Sequence, residues 1–127
     1  MTKEQRESKN IIYADLKIVG EYYDSADKNM RSVAAYHMQQ AVEKTIKLKA
    51  EINGLDLWGH DIKILIEKCK RNGVDIEVPS KIWDEADNIT QWEVEGRYYP
   101  IRAVRKDSIK EIYDSTIEWL ESGNTIK

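Results

Sequence analysis

Apolar residues recur along this chain at steps of three and four, the period of one face of a helix. Ile12, Leu16, Val19 and Tyr23 form the first stripe, widened by Ile11, Ile18 and Tyr22. It predicts a core-facing amphipathic helix capped by Ser8 or Asn10, with Gly20 as its weak position. Residues 1–7 are polar and are expected to be a flexible N-terminus. Asp24-Ser25-Ala26-Asp27 breaks the pattern and offers Ser25 or Asp27 as the next cap. The second helix is expected from Lys28 to Ile52, where Asn53-Gly54 is a left-handed stop. At 1.5 Å per residue it spans roughly 37 Å and would be the spine of the domain.

His60-Asp61 opens a third helix with Ile62, Leu65, Ile66 and Cys69 inward, closed by Asn72-Gly73. Lys68, Lys70 and Arg71 fall in its last turn, where cations meet the negative end of the helix dipole. Residues 74–78 read as an extended linker. Ser80 is the expected cap of a fourth helix carrying Ile82, Trp83, Ala86 and Ile89 to about Trp92. Gly96 and Pro100 bracket an irregular segment that begins at Glu93. A last helix from about Asp107-Ser108 carries Ile109, Ile112, Tyr113, Thr116, Ile117 and Leu120 inward, and 122–127 is a loose tail. No strand is predicted. The expectation is an all-α, antiparallel up-and-down bundle of about five helices, one domain over residues 8–121.

Within the spine, Tyr36 to Lys49 separates into two faces. Ala34, Met38, Ala41, Thr45 and Leu48 make a mostly apolar stripe. Beside it run Gln40, Glu43, Lys44 and Lys47, again at steps of three and four. An amide and a carboxylate beside small, core-side residues predict that Gln40 and Glu43 are partly buried and need partners. His60 and Arg97 are the partners expected.

Composition narrows the function classes. The 127 residues are 41% hydrophobic and 34% charged, the balance of a folded, helix-rich domain. A net charge of −3 excludes a global basic field for non-specific nucleic-acid binding but not a local basic patch. The single Cys, Cys69, excludes an intramolecular disulfide and fits a reducing compartment. There is no long apolar run and no apolar signal core at the N-terminus, so a cytoplasmic, membrane-free protein is expected. One Cys with His37 and His60 gives no metal-ligand spacing, and no metal is expected. Phosphate-cradling loop, dinucleotide fingerprint and nucleophile elbow are all missing, and no cofactor is expected.

His60 is read first as a cap or a neighbour's hydrogen-bond partner, and second as an acid, base or ligand-binding group. His37 is read as a satisfied core or interface residue. Arg31, six positions earlier, lies about 240° around the helix axis and diverges from it. Arg97, Arg102, Arg105 and Lys106 place four cations in ten residues with Tyr98 and Tyr99 between, a candidate patch for phosphate and base. For Arg97 an internal pair with Glu43 is favoured, because a partly buried carboxylate without a partner is costly. Trp58, Trp83, Trp92 and Trp119 are assigned to core or interface.

Three elements in order, Gln39-Gln40-Ala41-Val42-Glu43-Lys44 with Lys47, then His60-Asp61-Ile62, then Arg97-Tyr98-Tyr99-Pro100, resemble the HEPN domain family over about residues 8–121. The resemblance implies a helical bundle that usually dimerises. It also implies nucleotide or RNA binding, often beside a small nucleotidyltransferase in toxin–antitoxin or defence systems. Many members are ribonucleases through an Arg followed four to six residues later by His. Here no His follows Arg97, and a second tyrosine separates Arg97 from Pro100. RNA cleavage needs a base for the 2′-hydroxyl and a charge on the phosphate, and Arg97 would supply only the second. The expectation is therefore a non-catalytic homodimeric module that binds nucleotide or RNA or partners a nucleotidyltransferase. Its expected ligand face is Gln40, Glu43, Lys44, Lys47, His60, Arg97 and Tyr98, with Lys44 and Lys47 on phosphate and Tyr98 stacking a base. A metal-independent ribonuclease with His60 as base, and a structural adaptor, are the alternatives.

Overall fold

The computed structural model describes residues 1–97 and 104–121, with residues 94–97 described in their backbone alone. They form six helices: α1 (Lys3–Tyr22), α2 (Lys28–Ile52), α3 (Ile62–Arg71), α4 (Ser80–Asp84), α5 (Ala86–Arg97) and α6 (Lys106–Glu121). No strand occurs among the described residues. None of their helices is long and apolar enough to cross a membrane.

The spine has the expected bounds. Asp27 caps α2 by accepting from the Asn29 N–H at 2.8 Å, and Asn53 closes it. Gly54 then takes φ +81°, the left-handed region that favours glycine, and Leu55 N–H returns to Ala50 O at 2.9 Å. α2 packs against α1, α3, α5 and α6, so it is covered on several sides rather than along one stripe. Its buried set includes Ala34, Ala35, Ala41 and Ala50, small residues that let neighbouring helices approach, with Met38, Val42, Ile46 and Leu48 between them. All five residues of the expected apolar stripe are buried. Ile12, Leu16 and Val19 of α1, Leu65 and Ile66 of α3, Ile82 of α4, Ile89 of α5, and Ile109 and Ile112 of α6 complete one core.

Three differences from the expected elements have local causes. α1 starts at Lys3, more than a turn before Ser8, because Thr2 and Gln5 form a capping box. Thr2 Oγ1 accepts from Gln5 N–H at 3.1 Å, and Gln5 Oε1 accepts from Thr2 N–H at 2.9 Å. The expected fourth helix is two helices. Glu85 sits at φ −100°, ψ 10°, and the chain turns there so that α4 packs on α6 while α5 packs on α2 and α3. α5 also runs through Gly96 to Arg97, so Glu93 is helical rather than the start of an irregular segment. Gly20 is a packing residue: a Cβ there would meet Tyr113 Oη at 3.2 Å, where α1 passes α6.

The linker after α3 is tied down. Trp119 on α6, 2% exposed, donates its Nε1–H to Ile76 O at 2.8 Å. Trp119→Phe keeps most of the ring and strands that buried carbonyl. It should lower stability by about 1–2 kcal/mol, read from denaturant melts.

Candidate functional site

The polar stripe of α2 is where the bundle departs from an ordinary apolar core. Glu43 is only 5% exposed. Its Oε1 accepts from Gln39 Nε2 at 3.1 Å and pairs with His60 Nδ1 at 3.0 Å, and its Oε2 accepts from Lys47 Nζ at 3.2 Å. Gln39, fully buried one helical turn before Glu43, in turn accepts from Gln40 Nε2 at 2.7 Å. A buried carboxylate is therefore held by an amide relay, an imidazole and an ammonium, which offset the cost of taking its charge out of water.

His60 reaches Glu43 because its neighbours fix the start of α3. Asp61, not His60, caps the helix: its Oδ1 accepts from Ile64 N–H at 3.0 Å. Thr90 of α5 accepts from Ile62 N–H at 3.0 Å through an Oγ1 that itself donates to Ala86 O. That bond pins the start of α3 onto α5. Two residues before His60, Trp58 is 80% exposed and lies outside the core, which leaves it only the interface half of the core-or-interface expectation. Trp92 and Trp119 are in that core.

A second carboxylate sits beside the first. Asp15 of α1, 7% exposed, meets His37 Nδ1 at 2.9 Å and accepts from Lys44 Nζ at 2.7 Å. Arg31 diverges from His37, as the helical phase requires, and donates to Ser25 O at 2.6 Å. Lys44 and Lys47 thus serve different acids, yet both line one groove of about 210 Å³ between α1 and α2, with Ser8, Ile11, Leu48 and Glu51.

Among the expected site residues, the structure brings together Gln40, Glu43, Lys47 and His60 in one network, with Lys44 alongside it on Asp15. Gln40 reaches Glu43 only through Gln39. The expected Arg97–Glu43 pair and the stacking face of Tyr98 lie outside the described residues: Arg97 closes α5 in its backbone, and its side chain and Tyr98 are not described. Arg102 lies outside them too, while Arg105 is exposed and lines a cleft of about 490 Å³ with Arg31 and Lys106.

Sequence reasoning missed Gln39 and Glu93. Gln39 stands four residues before Glu43, the spacing of a helical side-chain pair, and that was its signal. Glu93 of α5 brings a carboxylate oxygen to Glu43 and His60, the three ligand atoms lying within 4.8 Å of one another. No local spacing announces that convergence. Cys69 is buried, and burial pushes its thiol pKa up, which makes it an inert core residue.

A family model described as the HEPN domain matches residues 20–124, most of the chain. The chain belongs to the HEPN domain family. No curated protein and no solved structure gives a significant match. In this HEPN chain the Gln-Gln-Ala-x-Glu-Lys element is the central part of α2, and the His-Asp element is the entry to α3. Its Gln39, Gln40, Glu43 and His60 side chains form one hydrogen-bonded network.

Proposed function

We propose that this HEPN chain is a non-catalytic, dimeric module that binds a nucleotide or an RNA segment through phosphate, across the face built by α2, the α1–α2 groove and the entry to α3. The observation that supports it is the pair of lysines over that groove. Lys44 and Lys47 are each about two-thirds buried, and each ammonium is held on a buried carboxylate. An ammonium has three N–H donors, and each of these gives one to its carboxylate. The rest are left for a phosphate oxygen, on side chains whose rotamers are already set. Arg97 and Tyr98, at and beyond the end of α5, extend the proposed face as a phosphate fork and a base platform.

One observation favours a second reading, a ribonuclease with His60 as base. Glu43 engages Nδ1 and leaves Nε2 out of that bond, on a side chain 66% exposed. A carboxylate that holds one imidazole nitrogen sets the tautomer and presents the other for proton transfer.

The test is incubation of the purified protein with labelled RNA in chelator, scoring retention and cleavage together. Retention without cleavage is expected. The Lys44→Gln/Lys47→Gln variant should retain RNA at least tenfold more weakly and show a shallower salt dependence, because fewer phosphates are neutralised. Cleavage lost in His60→Ala and Arg97→Ala would make the protein an enzyme. Neither retention nor cleavage would overturn both readings and leave an adaptor, for which a nucleotidyltransferase is the first partner to try.

A further inference from the structure

We infer that Glu43, His60 and Glu93 form a binding site for one divalent transition-metal ion of the Zn²⁺ type. The three side chains come from α2, the entry to α3 and α5, and bring one nitrogen and two carboxylate oxygens within 4.8 Å of one another. Around an ion with bonds of about 2.1 Å, neighbouring ligands stand about 3.0–3.4 Å apart and opposite ones about 4.2 Å. The 3.0 Å between His60 Nδ1 and Glu43 Oε1 already falls in that range. Coordination exchanges that single hydrogen bond for two bonds to the same ion, with the imidazole proton on Nε2.

Two further features separate this set from a chance meeting of surface acids. Glu43 is buried, and Gln39, itself fully buried and held by Gln40, fixes its carboxylate from behind. Metal sites use such an outer shell to orient their ligands. His60 is placed by the Asp61 cap and by Thr90, both outside the ligand set. The donors decide the ion. One imidazole nitrogen with carboxylate oxygens suits Zn²⁺, Co²⁺ or Mn²⁺, whereas Cu(I) prefers sulfur and Ca²⁺ needs six or more oxygens.

The ion also changes what the face attracts. A divalent ion bound there adds two positive charges beside Lys47. Three protein ligands leave a position open for water or a phosphate oxygen. The metal site itself does not rest on the nucleotide reading, and it would strengthen phosphate binding at the same face.

The experiment uses untagged protein stripped with chelator, dialysed, and titrated with Zn²⁺ by calorimetry and with Co²⁺ by visible absorption, with no RNA present. One ion per chain with micromolar affinity is expected. His60→Ala, at an exposed residue, and Glu93→Gln, at a partly buried one, should each weaken binding at least tenfold. His37→Ala, at the other carboxylate pair, should leave it unchanged. Circular dichroism confirms that each variant is folded. Absence of saturable binding below millimolar metal, or binding indifferent to both ligand substitutions, would overturn the site. Because RNA is absent, failure here is separate from failure of the nucleotide reading.

Discussion

Replacing Lys49 by methionine should raise the stability of this protein by about 1–3 kcal/mol, and its melting temperature by roughly 4–10 °C. Lys49 lies in the last turn of α2 and is fully buried. Among the described residues its Nζ has no hydrogen-bond partner. Among them, the charge is compensated by the face of Trp119, whose ring centroid is 5.5 Å away, and by the more distant field of Glu77. A cation over an aromatic ring contributes about 0.5–2 kcal/mol, less than an ammonium loses when it gives up water entirely. Methionine keeps the length of the stem and places a thioether against the same ring, so the space stays filled while the charge goes. An unchanged or lower melting temperature would mean that the ammonium is solvated or paired in solution.

The same residue predicts a pH dependence with a definite sign. Burial lowers the Lys49 pKa, Lys9 lowers it further, and Glu77 opposes the shift. With the folded pKa below the unfolded value of about 10.4, the unfolded chain binds more protons between the two. Stability therefore rises with pH through that window. The penalty is complete below the folded pKa and is gone above the unfolded one. Denaturant melts of both proteins should show the advantage of Lys49→Met shrinking between neutral pH and about pH 10. An advantage that grows with pH would contradict the assignment.

Lys49 shows where reading the chain reaches its limit. In sequence it is one more cation near the end of a helix, where the dipole favours it. It is buried only because α6 and the linker after α3 fold over the last turns of α2, and no local signal carries that. Caps and stops are different. Asp27, Asn53-Gly54 and Asp61 act within a few residues of themselves, so the bounds of α2 and the start of α3 were legible. Thr2 and Gln5 carry a signal of the same local kind, set in a polar stretch that has no apolar stripe to mark it as helix. The turn at Glu85 has neither Gly nor Pro, and it exists because α4 and α5 pack on different partners. Glu43 was legible as a partly buried acid because it repeats in phase with core residues. Gln40 is partly buried and partnered, as expected, and the fully buried amide beside it is Gln39: α2 is covered on several sides, so its buried arc is wider than one stripe. Glu93 could be found only once α5 was laid against α2.

Glu43→Ala should cost about 2–4 kcal/mol, measured by thermal and denaturant melts in chelator so that no bound ion contributes. The carboxylate is the acceptor on which three elements of the network converge. Its removal leaves Gln39 Nε2, in a fully buried residue, without its acceptor. It also frees Lys47 and His60, which are 31% and 66% exposed and recover water at little cost. The expected loss is therefore dominated by the stranded amide and the space left behind, not by the two cations. That partition fixes an order. Glu43→Gln keeps an acceptor for Gln39 and should cost about half as much as the alanine variant. His60→Ala, which removes an exposed partner, should cost under about 1 kcal/mol. Gln39→Leu combined with Glu43→Leu removes donor and acceptor together and should recover much of the loss, since replacing both partners by apolar groups approaches neutrality. A melt unmoved by Glu43→Ala would dismiss the buried network as an organiser of this bundle.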